Sequence, residues 1–198
     1  MTKANNRKEQ ILQALALELE QRPGERITTA NLAKAVGVSE AALYRHFPSK
    51  AKMFDALIDF SETAVFGLIT QSIANNDDPI AQIENIMAII LVFSTRNPGI
   101  TRILLGDALV GENERLLKRS NQFFERIETQ LRSILREGEL SKQLSYQGSN
   151  GHLLASLLLS ILEGQLNRYV RSQFTKKPDK DWPKKWALVS SFLVSEKI

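Results

Sequence analysis

The sequence has no cysteine, which excludes disulfides, thiolate metal sites and cysteine nucleophiles. Histidine is nearly absent: His46 and His152 are the only two, too few for a multi-histidine metal site within one chain. Long apolar runs are missing as well. The longest, at 87–93 and 153–162, fall far short of the ~20 residues that span a bilayer, so no membrane partner is expected. The first ten residues are polar and lack the apolar core of a secretory signal. No Gly-rich phosphate loop, Gly-x-Ser-x-Gly elbow or His-Glu-x-x-His pattern occurs, and the carboxylates are dispersed. No catalytic residue, metal site or cofactor is therefore expected, and the default reading is a cytoplasmic protein that is not an enzyme.

What is present is a chain of 198 residues with 43% hydrophobic content, ample for one large domain or two small ones. The net charge of +4 is unevenly placed. Residues 1–52 hold nine Lys/Arg against five Glu and so carry the whole surplus, while 53–198 are balanced. A polyanion is expected to bind the first quarter.

Helical periodicity dominates, and no alternating strand pattern appears. Ile11, Leu12, Leu15, Ala16 and Leu19 form the stripe of a first helix that stops at Arg22-Pro23-Gly24. A short second helix follows Thr28 or Thr29, with Leu32, Ala33 and Val36 inward and Gly37 ending it. Ser39 caps a third over 40–47, and Pro48 breaks it. Ser49 caps a fourth that runs to about 74, with Phe54, Leu57, Ile58, Val65, Leu68 and Ile69 on one face. Further helices are predicted over 80–95, 100–109, 112–137, 152–174 and 181–195, the last carrying Trp186, Val189, Phe192 and Leu193. The fold class is thus all-α, about nine helices: an N-terminal three-helix unit at 1–52 and a C-terminal bundle at 53–198. The eighth helix is apolar on most faces. It lies either at the centre of its own core or also against a second subunit, and Ala155 and Gly164 permit close approach.

The segment from Ile27 to Lys50 reads as a helix-turn-helix. Two short helices meet at Gly37, where a positive φ is convenient, and Leu32, Ala33, Val36, Val38 and Leu43 join them. An α-helix fits the DNA major groove, and threonine hydroxyls and helix starts donate to phosphates. Candidate DNA-binding residues are Thr28, Thr29, Ser39, Ala41, Ala42, Tyr44, Arg45, His46 and Lys50. Ala41 and Ala42 leave room at the base-facing turn, and Lys50 places an ammonium near the backbone.

A Thr-led second helix, Gly37-Val38-Ser39 at the turn, Leu43-Tyr44, His46-Phe47 and Ser49-Lys50 resemble the DNA-binding signature of TetR-type regulators. That resemblance implies an all-helical homodimer on palindromic double-stranded DNA, paired through its last two long helices. The stretches 38–50, 96–104, 122–128 and 168–172 are further similar to the nucleoid occlusion factors of this class. Those proteins bind sites scattered over the chromosome and antagonise the tubulin-like division protein FtsZ. The resemblance thus implies FtsZ as a partner, several dimers on one DNA site, and a nucleoid-associated location. It places the FtsZ surface at Phe60, Arg96 and Asn97. Asp107 stands where the resemblance leads one to expect histidine, Val110-Gly111 replaces a bulkier pair, and Phe66-Gly67-Leu68 lacks the expected basic character.

Each of these residues also has a plainer reading. Phe60 and Phe66 lie off the main stripe of the fourth helix and are either packed against neighbours or exposed as anchors for a partner. Arg96 and Asn97 suit a helix C-terminus and a turn. His152 starts a helix, Trp182 and Trp186 are a core or interface pair, and Arg168 and Arg171 are solvated or ion-paired. The alternative function is a ligand-responsive TetR-type repressor, which requires an apolar effector cavity in the bundle.

Overall fold

The structure, a computed structural model, describes residues 3–145, 150–191 and 193. Among these residues there are nine α-helices and no β-strand. The helices are α1 (Lys3–Gln21), α2 (Thr29–Val36), α3 (Glu40–His46), α4 (Lys50–Ala74), α5 (Pro79–Arg96), α6 (Pro98–Leu104), α7 (Glu114–Leu140), α8 (Gly151–Arg171) and α9 (Trp182–Ser190). They divide into two compact units. The first comprises Met1–Thr63 and Asn97–Asn121, the second Ala64–Arg96 and Gln122–Ile198.

The first unit is organised by α1. Ile11, Leu15 and Leu19 recur at four-residue spacing and are almost completely buried. Leu12 and Ala16, on the flank of that stripe, are half-buried. Helix α6 packs against α1 so closely that a Cβ at Gly99 would lie 2.0 Å from the Ala16 carbonyl oxygen, a contact only glycine permits. The end of α1 is closed by α6. Arg102, 3% exposed, donates from Nη1 to the Leu19 carbonyl at 2.7 Å and to that of Arg22 at 3.2 Å. Its Nε lies 2.5 Å from Asp107 Oδ2. The guanidinium therefore gives the Leu19 carbonyl at the end of α1 a donor and adds one to the Arg22 carbonyl, which also accepts from the Glu25 N–H, and Asp107 neutralises it.

In the same unit Asp55 on α4 is ion-paired with Arg115 and with Arg119 of α7. Arg119 also reaches Asp59 at 2.7 Å and Glu62 at 3.0 Å. Burial alone would raise the Asp55 carboxyl's pKa. The hydrogen bonds and charge of Arg115 and Arg119 outweigh it and hold the group below the usual carboxylate range.

The second unit has a core of Ile83, Ile86, Met87, Ile90 and Leu91 from α5, Phe123, Ile127, Leu131 and Leu135 from α7, and Leu158, Leu162, Leu166 and Tyr169 from α8. Phe66 meets Phe123 edge-on at 5.5 Å and carries the Arg126 guanidinium over its face at 3.8 Å. Asn150 caps α8 by accepting from the Leu153 N–H at 2.9 Å.

Four sequence expectations change, the first being the eighth helix, predicted to 174, which ends at Arg171. The helix predicted over 100–109 stops at Leu104, and after a turn at Gly106 the residues Asp107–Leu109 form a single 3₁₀ turn. Leu68, on the inward face of α4 by its spacing, is 50% exposed, because that face is continued by Ser61, Val65 and Ile69. The seventh helix runs on to Leu140, past Gly138. Helix α9 is described to Ser190, and Phe192, expected on its inner face, lies outside the described residues along with 194–198.

Candidate nucleic-acid interface

The α2–α3 unit is built from its caps. Thr28 adopts an extended conformation and its hydroxyl accepts from the Asn31 N–H at 3.2 Å, starting α2. At the other end Gly37 sits at φ 71°, ψ 39°. Its N–H reaches the Lys34 carbonyl at 3.1 Å and the Val38 N–H reaches that of Ala33 at 2.9 Å. This paired pattern of a helix end reverses the chain within one residue. Ser39 then caps α3 by accepting from the Ala42 N–H at 3.2 Å. Leu32, Ala33 and Leu43 fill the joint between the helices, with Val36 and Val38 half-buried at its edge.

This scaffold leaves Thr28, Ser39, Ala41, Tyr44 and Arg45 exposed, and Thr29, Ala42, His46 and Lys50 half-buried. Three polar side chains form a chain across α2 and α3. The Tyr44 hydroxyl donates to Thr29 Oγ1 at 3.4 Å, and the Thr29 hydroxyl donates to Glu40 Oε2 at 2.7 Å. Tyr44 is thereby held upright at the surface, and its own oxygen keeps free acceptor capacity. Lys50 is anchored rather than loose. Its Nζ donates to the Ile27 carbonyl at 2.9 Å and lies 2.5 Å from Glu112 Oε1. An ammonium has three donors, so two are engaged and one remains.

Phe60 on α4 is 50% exposed. Together with Asn97, which precedes α6, it lines a mostly apolar groove of about 320 Å³ formed with Glu9, Leu12, Gln13 and Ala16 of α1, Leu57 of α4 and Ile100 of α6. Arg96 is the exposed last residue of α5 and belongs to the second unit.

The sequence reading missed Glu40 and Glu112 as partners of Thr29 and Lys50. Glu40 had a detectable signal, an acid in the first turn of a capped helix. Glu112 had none, because its role depends on the chain folding back to the start of α4. The α1 contribution to the groove was equally hidden, since Leu12 and Ala16 are read from sequence as plain core positions.

Two family models match the chain. Residues 11–57 match the bacterial regulatory proteins of the tetR family, and residues 77–194 match the SlmA-like form of the tetracyclin repressor-like C-terminal domain. Among solved structures, the MbdR regulator from Azoarcus sp. CIB superposes with a TM-score of 0.81 over 96% of this chain and all of that one. At 16% identity it shows the fold alone. The nucleoid occlusion factor SlmA of Vibrio atlanticus (strain LGP32) is 54% identical over 191 residues, covering 96% of this chain and 97% of the relative. That of Colwellia psychrerythraea (strain 34H) is 50% identical over 192 residues, covering 97% and 94%. The identity thus runs through the bundle as well as the α2–α3 unit, and the chain belongs to the SlmA family of nucleoid occlusion factors, built on the TetR-type fold.

Proposed function

We propose that this protein is a dimeric nucleoid occlusion factor. It binds palindromic sites in double-stranded DNA through α2 and α3, and it blocks assembly of FtsZ over the chromosome through a separate surface. The observation that carries this reading is the half identity to nucleoid occlusion factors across nearly the whole chain, bundle included. Residues 1–52 serve DNA recognition and 53–198 serve pairing and partner binding, with α1 adding Leu12 and Ala16 to the wall of the partner groove.

For DNA, Thr28, Arg45 and His46 supply phosphate donors, Thr29 and Tyr44 do so once their hydroxyl hydrogens turn from Glu40 and Thr29 towards a phosphate, and Ser39, Ala41 and Ala42 let the start of α3 approach base edges. Lys50 adds its remaining donor from an anchored position. For pairing, α8 carries an outer stripe of Leu153, Leu157 and Gly164, with Leu153 and Leu157 58% and 49% exposed, and α9 exposes Leu188 at 73%. Such an apolar, partly small-residue face suits a second copy of the same helices. Several dimers on one site remain part of the proposal.

For FtsZ, the mostly apolar groove lined by Phe60 and Asn97 suits a short apolar peptide segment, and Arg96, exposed at the end of α5, is proposed as a further contact. No helix among the described residues is long and apolar enough to cross a membrane. We place the protein in the cytoplasm on the nucleoid.

The test is FtsZ polymer sedimentation with GTP, with and without a specific duplex. Less polymer in the presence of this protein, and still less with duplex, supports the reading. Unchanged polymer under both conditions, from protein that binds the duplex, removes the FtsZ half of it.

A further inference from the structure

The second unit contains a basic pocket that neither DNA reading nor pairing explains. Although residues 53–198 are balanced in charge, 165–185 hold seven Lys/Arg against two Asp. Five of the cations, Arg168, Lys176, Lys177, Lys180 and Lys185, line one pocket of about 310 Å³, with Asp181 the only acid on its wall. Among the described residues none of the five is ion-paired. Arg22, Lys50, Arg102, Arg115 and Arg119 of the first unit all hold carboxylates. Favourable placement at a helix C-terminus explains Arg168 and Arg171, but not the pocket's four lysines, of which Lys176, Lys177 and Lys180 lie between α8 and α9 and Lys185 on α9.

The loop that presents them is held in an unusual shape. Of four non-glycine residues with positive φ among the described residues, three lie here: Gln173 at 49°, Phe174 at 64° and Asp181 at 58°. Such backbone persists only where its surroundings enforce it. Phe174 packs edge-on against Tyr169 at 5.2 Å, and the Ser172 hydroxyl accepts from the Lys176 N–H at 2.9 Å. Asp179 accepts from the Thr95 hydroxyl at 2.7 Å. One of the two acids in the segment is thus committed to α5. Lys185 donates to Gln165 at 3.0 Å, which fixes its side chain at the pocket wall.

We propose that this pocket binds a compact phosphate-bearing anion of the di- or triphosphate class. Its charge requires several negative charges within a small volume. An extended acidic peptide offers at most one charge per ~3.3–3.6 Å of chain. Duplex DNA offers one per ~3.4 Å of each strand, on a rod that a concave pocket does not enclose. A polyphosphate carries more than one charge on each pair of adjacent phosphates and can be enclosed by a small pocket, and lysines are suited to it as mobile point charges.

The chain's two tryptophans, Trp182 and Trp186, flank the pocket residues Asp181 and Lys185 in sequence and serve as a built-in reporter. The full-length protein is titrated with orthophosphate, pyrophosphate, tripolyphosphate and ATP at constant ionic strength, by tryptophan fluorescence and by calorimetry. Saturable binding of one anion per chain is expected, tightening from orthophosphate to tripolyphosphate. ATP tighter than tripolyphosphate identifies a nucleotide as the source, and equal affinity identifies the phosphates alone. K177Q and K180Q should each weaken binding roughly tenfold, the worth of one charge-assisted hydrogen bond. K34Q, in the first unit, should not. K176Q provides a second lining variant, and circular dichroism confirms that each variant is folded. Non-saturable signals, equal binding by all folded lining variants, or displacement of tripolyphosphate by poly-glutamate at matching charge concentration would overturn the proposal.

Discussion

Lys50 and Glu112 form an ion pair of 2.5 Å, with side chains only 17% and 11% exposed, and the same ammonium holds the Ile27 carbonyl at 2.9 Å. Ile27 precedes Thr28, the cap of α2, so one lysine connects the start of the α2–α3 unit to the lead-in of α7. The pair is local to the first unit, yet it joins positions far apart in the chain.

Lys50→Ala removes two charge-assisted contacts and strands Glu112. Stability should fall by about 1.5–3 kcal/mol, read by urea denaturation. DNA affinity should fall on all sequences alike, and the salt slope should drop by about one unit if the third donor meets a phosphate. Glu112→Gln keeps the lysine and removes a carboxylate from the phosphate's vicinity, so it should strengthen DNA binding at low salt. A lysine variant with normal stability, affinity and salt slope would dismiss Lys50 from the interface.

Thr28→Ala deletes the hydroxyl that accepts from Asn31 and should cost about 1 kcal/mol of stability, with weaker DNA binding. Thr28→Ser keeps the cap and should restore both. If serine restores the melting temperature but not the affinity, the methyl group makes a DNA contact of its own. If alanine leaves affinity unchanged, Thr28 is a cap and nothing more.

Much of this was legible in the sequence because it depends on local rules. Thr28, Gly37 and Ser39 announce helix ends by their residue types, and Ile11, Leu15 and Leu19 announce a buried face by their spacing. The break after Leu104 was less visible, since Ile103, Leu104 and Leu109 keep a helical rhythm across it. What remained hidden is long-range. Arg102 looks like a surface cation on a short helix, and nothing local says that it closes the end of α1 against Asp107. The exposure of Leu68 depends on which of two apolar faces α4 buries, and that is decided by packing rather than period.

Asp55 makes stability pH-dependent. It is 5% exposed, and its arginine partners hold its carboxyl below the ordinary value. A depressed folded-state value stabilises the protein above the unfolded carboxyl value of ~3.9, and the contribution is lost as pH falls through the folded value. Acid unfolding should therefore continue to steepen below about pH 4. Asp55→Asn should flatten that limb and lower stability at neutral pH by up to about 3 kcal/mol, as Arg115 and Arg119 lose a buried partner. An unchanged acid limb in the variant would show that other carboxylates set it.

Pairing is best tested at Leu157. Leu158 lies 2% exposed within its own unit, so a charge there reports on folding, whereas Leu157 is 49% exposed on the outer stripe of α8. Leu157→Glu should give a folded monomer in sedimentation equilibrium, and with it much weaker binding to palindromic DNA. Leu158→Glu should instead lose helix content. A Leu157→Glu protein that remains dimeric would move the interface away from this face of α8.

The proposed separation of DNA and FtsZ binding rests on Phe60, Arg96 and Asn97 lying outside the α2–α3 unit. Arg96 is exposed at the last turn of α5, so its charge reversal should alter stability by only ~0.5 kcal/mol, including the unfavourable acid at a helix end. Phe60 is half-exposed at the groove edge, and Phe60→Asp places a charge where an apolar segment would dock. Sites without shared partners act nearly additively. Each variant should therefore keep its DNA affinity within about threefold, which is ~0.65 kcal/mol. Each should also fail to reduce FtsZ polymer in sedimentation. Charge reversal is the sharper change because it adds repulsion to the loss of a contact. Thr28→Ala supplies the converse, weakened on DNA but normal in direct FtsZ binding without duplex. If Phe60→Asp loses FtsZ and Arg96→Asp does not, the groove alone forms the partner site. If both retain FtsZ, the surface lies elsewhere on the bundle.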